Sequence, residues 1–431
     1  MHIDNQALQS FQANRISRSI RNMQFFAMVI IAIMTLTATQ AQAAKILFRS
    51  NFSSGVSIST PYGFYGNGAW QQITGTDSDT GHSWPIRALG ANFSGIQLIT
   101  GDPVEPSTIG NYITNTIRTV AGPFGTINEL FQNVKLKGDV GEATSQSPFV
   151  ITRPSTIGDV KDLYFSYWFK YSDDLASKLD SAVTNGNWRA QFSFKTGGYG
   201  GNAASGDYRI AINVLKRKDG KLIWLTKGDS DANGPVPDDT YWYETNEVVP
   251  VPVGTWFKFE VYWHRSSGSD GRFWAAVNGQ EIVDYRGPNT GIYNLPITRI
   301  IAHNAYSGGY GPVQSSITGF EIWDGFPCGI GVSCYNFDKT APTVPASPTG
   351  RLTKFSSFGS VALAWLPSTD NVAVANYIIY RNGTRIGVSV TPNFIDTISG
   401  SSKGAIYSYT VRALDAAGNY SSMSSAIPIV Y

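Results

Sequence analysis

Apolar and polar side chains alternate along much of this chain. Over residues 188–195, Trp188, Ala190, Phe192 and Phe194 fall on one side, and Arg189, Gln191, Ser193 and Lys195 on the other. A period of two marks a strand with one buried face. Residues 208–215 repeat it, with Tyr208, Ile210, Ile212 and Val214 against Arg209, Ala211, Asn213 and Leu215. In 256–264, Phe257, Phe259, Val261 and Trp263 read as core, and Lys258, Glu260, Tyr262 and His264 as outward. Further strands are expected at 46–52, 163–171, 221–226, 272–277, 297–303 and 317–323, with hairpin turns at Asp219-Gly220 and Asn278-Gly279. Only 172–179 and 126–131 read as helical. So many antiparallel strands over residues 44–330 predict a large two-sheet sandwich of the jelly-roll type.

Composition narrows the class. Charged residues make up 15% and aromatics 13% of 431 residues, which excludes a disordered chain and a helical bundle. The net charge of +2 gives no footprint for nucleic acid. Residues 1–43 carry Arg15, Arg18 and Arg21, then an apolar run over 25–36, then Ala41-Gln42-Ala43, the layout of a secretory signal peptide. The run is shorter than the ~20 residues of a membrane span. The expected mature chain has 30 basic and 30 acidic residues, no membrane span, and a secreted, extracellular or periplasmic location. Cys328 and Cys334, the only cysteines, make no four-ligand zinc site. In an exported chain this close pair reads as a local disulfide.

Residues 331–344 form a linker, with prolines among small residues around its end. From 345 to 431 short strands follow, including one around Trp365 and a hairpin at Asn382-Gly383. The segments 368–374, 377–383 and 407–419 (Tyr-Ser-Tyr-Thr-Val-Arg-Ala-Leu-Asp-Ala-Ala-Gly-Asn) resemble fibronectin type III modules appended to secreted bacterial polysaccharide-degrading enzymes. The resemblance implies an immunoglobulin-like sandwich acting as spacer or accessory unit, with Tyr407 as its tyrosine-corner residue.

Some chemistries lack their motifs. There is no G-x-S-x-G elbow, no Walker motif and no H-E-x-x-H. Glu321 and Asp324 are spaced to fall on opposite strand faces, whereas a retaining glycosidase needs two carboxylates about 5 Å apart. Asp229-Ser230-Asp231-Ala232-Asn233-Gly234 copies half of a calcium loop, but Thr240 stands where its last ligand belongs. A polar turn and a weak structural Ca²⁺ are both open; no other cofactor is expected.

The stretch 191–201, followed by Gly206-Asp207-Tyr208-Arg209 and the Asp219-Gly220 hairpin, resembles the concanavalin-A-like jelly-roll polysaccharide lyases, the alginate and glucuronan lyases in particular. In that pattern a Lys precedes a Gly-rich turn and an Arg lies on the next strand. Residues 300–309, with His303 and Tyr306, resemble their penultimate-strand region. The chain departs from the pattern at Asp207, where a Ser is expected, and at Ile223 and Leu225, where a Tyr-x-Tyr pair is expected; Tyr241-Trp242-Tyr243 is a nearby substitute. The resemblance implies β-elimination on an anionic, uronate-containing polysaccharide. Cations offset the uronate carboxylate, and a Tyr or His moves the protons. Lys195, Arg209, Tyr243 and His264 are the candidate catalytic residues. Arg189, Gln191, Asn213, Tyr241, Tyr262, His303 and Tyr306 are the candidate substrate contacts. A non-catalytic carbohydrate-binding or adhesion protein and a glycoside hydrolase stay open as alternatives.

Overall fold

The computed structural model describes residues 44–431 except 65–67, 102, 124, 136–144, 155, 157–159, 184–185, 197–207, 231–239, 292–293, 336–339, 371–373, 400–403 and 416–418. The expected signal peptide, the Gly-rich turn after Lys195, part of the linker and the calcium-like loop from Asp231 onward lie outside the described residues.

Inward-facing aromatics hold two antiparallel sheets together. The front sheet runs, in spatial order, Thr240–Asn246, Leu222–Asp229, Arg209–Lys216, Trp188–Thr196, Ile297–Ala305, Ser147–Thr152, Phe93–Ile99, Gly68–Thr76 and Val56–Ile58. The back sheet runs Gln280–Arg286, Arg272–Val277, Phe257–His264, Asp162–Tyr171, Val313–Trp323, Gly125–Val134 and Ile113–Gly122, with Ile46–Ser50 also paired to Val313–Trp323. Phe192, Phe194, Ile210 and Ile212 of the front sheet pack on Phe165, Phe259 and Trp263 of the back sheet. The Phe194 and Trp263 rings lie 4.6 Å apart. This is a two-sheet antiparallel sandwich of the jelly-roll type. Residues 126–131, read as helical, are instead strand: Leu130 and Gln132 are buried, and the segment forms a hairpin with Ile113–Gly122. Pairing and burial override the local preference. Residues 172–179 keep one helical turn, Leu175–Lys178.

Part of the outward side of the back sheet is covered. Cys328 and Cys334 are disulfide-bonded. Beside the bridge, Phe326 packs on Tyr262, Trp274 and Tyr164, with ring centroids 4.1, 5.1 and 5.7 Å away. Under this segment the Glu260 carboxylate is fully buried and accepts hydrogen bonds from the Tyr164 hydroxyl, the Ser333 hydroxyl and, at 2.7 Å, the Cys334 amide. Glu260→Gln puts an amide donor where three donors converge. It is expected to cost about 1.5–3 kcal/mol, the range for a hydrogen bond to a charged group, read by thermal denaturation.

The second sandwich is immunoglobulin-like. It pairs Ala346–Lys354, Phe358–Leu366 and Asn393–Ser399 in one sheet, and Thr384–Ser389, Val374–Arg381, Ile406–Asp415 and Ile427–Val430 in the other. Trp365, Tyr377, Ile379, Tyr409 and Val411 fill its core. Asn382 and Gly383 both have positive φ, 50° and 78°, as a type I′ turn requires. Tyr409 is one of its buried tyrosines and its hydroxyl donates to Asp396; Tyr407 lies half-buried under the Arg381 guanidinium. Arg385 donates to Asp79 and to the Ser78 carbonyl of the first sandwich, and Arg49 of the first donates to the Asp415 carbonyl of the second.

Candidate functional site

Four neighbouring strands of the front sheet bring cations onto one outward face. Phe194 and Ile210 point into the core, so the adjacent Lys195 and Arg209 point out. These two residues stand directly opposite each other in the antiparallel register. On the next strand Arg209 faces Asp229, and on the other side Lys195 faces Arg299. One pair along, Ala211 faces Lys227, which faces Tyr243 on the outermost strand.

Asp229 is the carboxylate among these cations. Its side chain is 1% exposed, grips Arg209 through both oxygens (Nε to Oδ1, 2.8 Å) and pairs with the Lys227 Nζ at 2.7 Å. The Arg209 and Lys227 side chains stay 25% and 30% exposed. Cations therefore outnumber the carboxylate across these rows. Tyr243 is the most accessible proton-carrying group here, 69% exposed. Its strand stands two strand spacings, about 10 Å, from that of Arg209. Asn213 shares the face, opposite Ala190 and Leu225. Tyr241 is exposed at the sheet edge, its ring 5.8 Å from that of Tyr208. Tyr306 packs edge-on against Trp188 at 4.8 Å, forming an aromatic pair at one end.

Five expected site residues are elsewhere, three through bulges and two because they belong to the other sheet. The ladder slips between Ala190 and Phe192, a β-bulge that moves Arg189 and Gln191 to the inside and Trp188 and Ala190 to the outside. Gln191 is fully buried and bonded to the Tyr171 and Tyr167 hydroxyls. Arg189 donates to the Gln314 carbonyl of the back sheet, and burial lowers its pKa to about 10. A second bulge, between Ile301 and His303, turns His303 inward. There its Nε2 meets the Ser315 hydroxyl at 2.6 Å, and burial, helped by the Arg189 charge, pushes its pKa well down. Tyr262 and His264 belong to the other sheet and face away from Lys195. Burial raises the Tyr262 pKa, and Asp162 accepts from its hydroxyl and pairs with His264 Nδ1 at 2.9 Å. The strand of residues 257–264 is not a neighbour of those at 188–196 and 209–216, so these side chains share no surface.

Two residues of the face were not singled out from sequence. Lys227 follows a strand expected to end at 226, and Asp229 opens a segment that reads as either a polar turn or half of a calcium loop. The structure gives Asp229 to Arg209 and Lys227 instead. Arg299 carried a legible signal, since Ile300 and Ala302 are core and their neighbours must point outward. Among the described residues, no group of three His, Cys, Asp or Glu side chains is placed to hold a metal ion, and no helix is long and apolar enough to cross a membrane.

No protein-family model matches the chain. A stretch of 92 residues, 21% of the chain, is 41% identical to exoglucanase B of Cellulomonas fimi, and another of that length is 46% identical to chitinase A1 of Niallia circulans. The chain spans only 8% and 12% of these two relatives. Among solved structures, an endo-β-1,4-glucuronan lyase from Trichoderma reesei is similar over 49% of this chain and 90% of its own, at 12% identity and a TM-score of 0.36. An alginate lyase from a Chlorella virus is similar over 48% and 89%, at 10% identity and a TM-score of 0.32.

Proposed function

We propose that the outward face of the front sheet binds an anionic, uronate-containing polysaccharide and cleaves it by β-elimination, and that the protein is secreted to do so. The observation that carries this reading is the direct cross-strand pairing of Lys195 with Arg209, with the exposed phenol of Tyr243 beyond them on the same face. In a uronate the C5–H bond becomes acidic only when the adjoining carboxylate charge is offset. Lys195 and Arg209, aimed at that carboxylate, stabilise the negative charge that builds up as the proton leaves. Tyr243, acting as its phenolate, takes the C5 proton and becomes the neutral phenol, the C4–O4 bond breaks as the C4–C5 double bond forms, and O4 regains a proton from an acid or water. His264 has no part, because it lies on the other sheet. The second sandwich serves as an accessory module, in keeping with the matched stretches of glycan-degrading enzymes.

A non-catalytic glycan-binding protein is favoured by one specific feature: Asp229 already occupies two donors of Arg209. A glycosidase is poorly served, since the paired rows of this face bring one carboxylate, Asp229, and Glu321 is buried against Arg49. Incubation of the protein with polyuronates and neutral glucans separates the three readings. Ultraviolet absorbance from unsaturated ends, lowered by about 10²-fold or more in Tyr243→Phe, is the expected result. New reducing ends without absorbance would establish a hydrolase, and retention on the polymer with neither would establish a binding protein.

A further inference from the structure

We infer that Arg299, with Gln97 and Trp70, forms a second, distal subsite for a negatively charged sugar of the same polymer; this rests on the reading of the Lys195–Arg209 face as the anionic-glycan site. Arg299 stands directly opposite Lys195, and like charges placed so destabilise a sheet. Its guanidinium is drawn away from Lys195 and donates to the Gln97 Oε1 at 2.5 Å. The strand of Gln97 lies three strand spacings, about 15 Å, from that of Lys195. Among the described residues no carboxylate pairs with Arg299, and its buried Nε has no hydrogen-bond partner. Gln97 in turn faces Trp70 across the next pair of strands. Ala69 and Ile73 point into the core, so Trp70 points outward, half-buried, with its ring edge-on to Phe93 at 5.2 Å. Tyr62, bridged to Trp70 and 43% exposed, continues the aromatic surface.

A cation, an amide and an aromatic plane are the groups that hold a charged sugar: one for the carboxylate, one for a hydroxyl and one for the ring. Gln97 and Trp70 stand three and four strands from Lys195, and Arg299, though its strand adjoins that of Lys195, turns its guanidinium to Gln97, so the three groups meet a different sugar from the one that reacts. The site therefore recognises a polymer charged on successive sugars, running across the strands from Tyr243 toward Trp70.

The test is chain-length dependence. Binding of a uronate disaccharide and of a hexasaccharide of the same sugar is measured by calorimetry at low and moderate salt, for the wild type, Arg299→Ala and Arg299→Lys. The expected result is tighter binding of the hexasaccharide by the wild type. In Arg299→Ala that gain falls about tenfold or more and the salt dependence weakens, while disaccharide affinity is unchanged; Arg299→Lys retains most of the gain. Equal hexasaccharide affinity in the wild type and Arg299→Ala, both folded by circular dichroism, would overturn the inference while leaving the Lys195–Arg209 reading intact. Failure of the wild type to bind either oligomer would overturn the reading itself.

Discussion

Arg209→Ala is expected to lower turnover of a polyuronate by about 10²–10³-fold, the loss seen when a donor to a developing oxyanion is removed. The protein should stay folded. Asp229 keeps its ion pair with Lys227 at 2.7 Å, so the buried carboxylate retains a partner. Arg209→Lys should recover only part of the activity. A lysine keeps the charge but cannot hold Asp229 bidentately and at the same time present a fixed planar edge to substrate. Initial rates and the thermal midpoint of both variants check this. Full turnover in Arg209→Ala would remove the residue from the mechanism.

Arg49→Met should give the largest loss of stability, about 3–5 kcal/mol, the usual cost of stripping one partner from a buried ion pair. Arg49 and Glu321 are 6% exposed each and meet at 2.6 Å. Burial alone would raise the Glu321 pKa, but the Arg49 and Lys258 charges, with hydrogen bonds from Trp323 and Arg49, hold it below the ordinary carboxylate value. A carboxyl whose folded pKa is depressed contributes stability above its unfolded pKa and loses it as pH falls through the folded one. In Arg49→Met burial prevails, the folded pKa moves above the unfolded value and the sign reverses: the variant is less handicapped in mild acid than at neutral pH. Arg49 also donates to the Asp415 carbonyl, so the substitution loosens the contact between the two sandwiches. Denaturant midpoints of wild type and variant at neutral and mildly acidic pH check both the size and the sign.

The fold was legible because period-two alternation needs nothing beyond the local sequence. Phe192, Phe194, Phe257, Phe259, Val261 and Trp263 announce a core, and they form it. The site was legible only where the alternation runs unbroken. Lys195 keeps phase with the core residues Phe192 and Phe194 on its side of the slip, Arg209 lies on a strand that pairs in register with it there, and the two share a face. Arg189 and Gln191 lie just before or at one bulge and His303 just past another, where one extra residue puts the two sides of the slip out of phase, and no local pattern marks the slip. Tyr262 and His264 failed for another reason. Alternation tells inside from outside, but not which outside, and sheet membership is set by pairing among residues distant in sequence.

The most direct test of the central claim is the crystal structure of the Tyr243→Phe variant with a uronate oligomer bound. The account predicts a sugar on the front sheet, with its carboxylate within hydrogen-bond reach of both the Lys195 ammonium and the Arg209 guanidinium. An oligomer lying against the Tyr262–His264 side, or one whose carboxylates avoid Lys195 and Arg209, would contradict it.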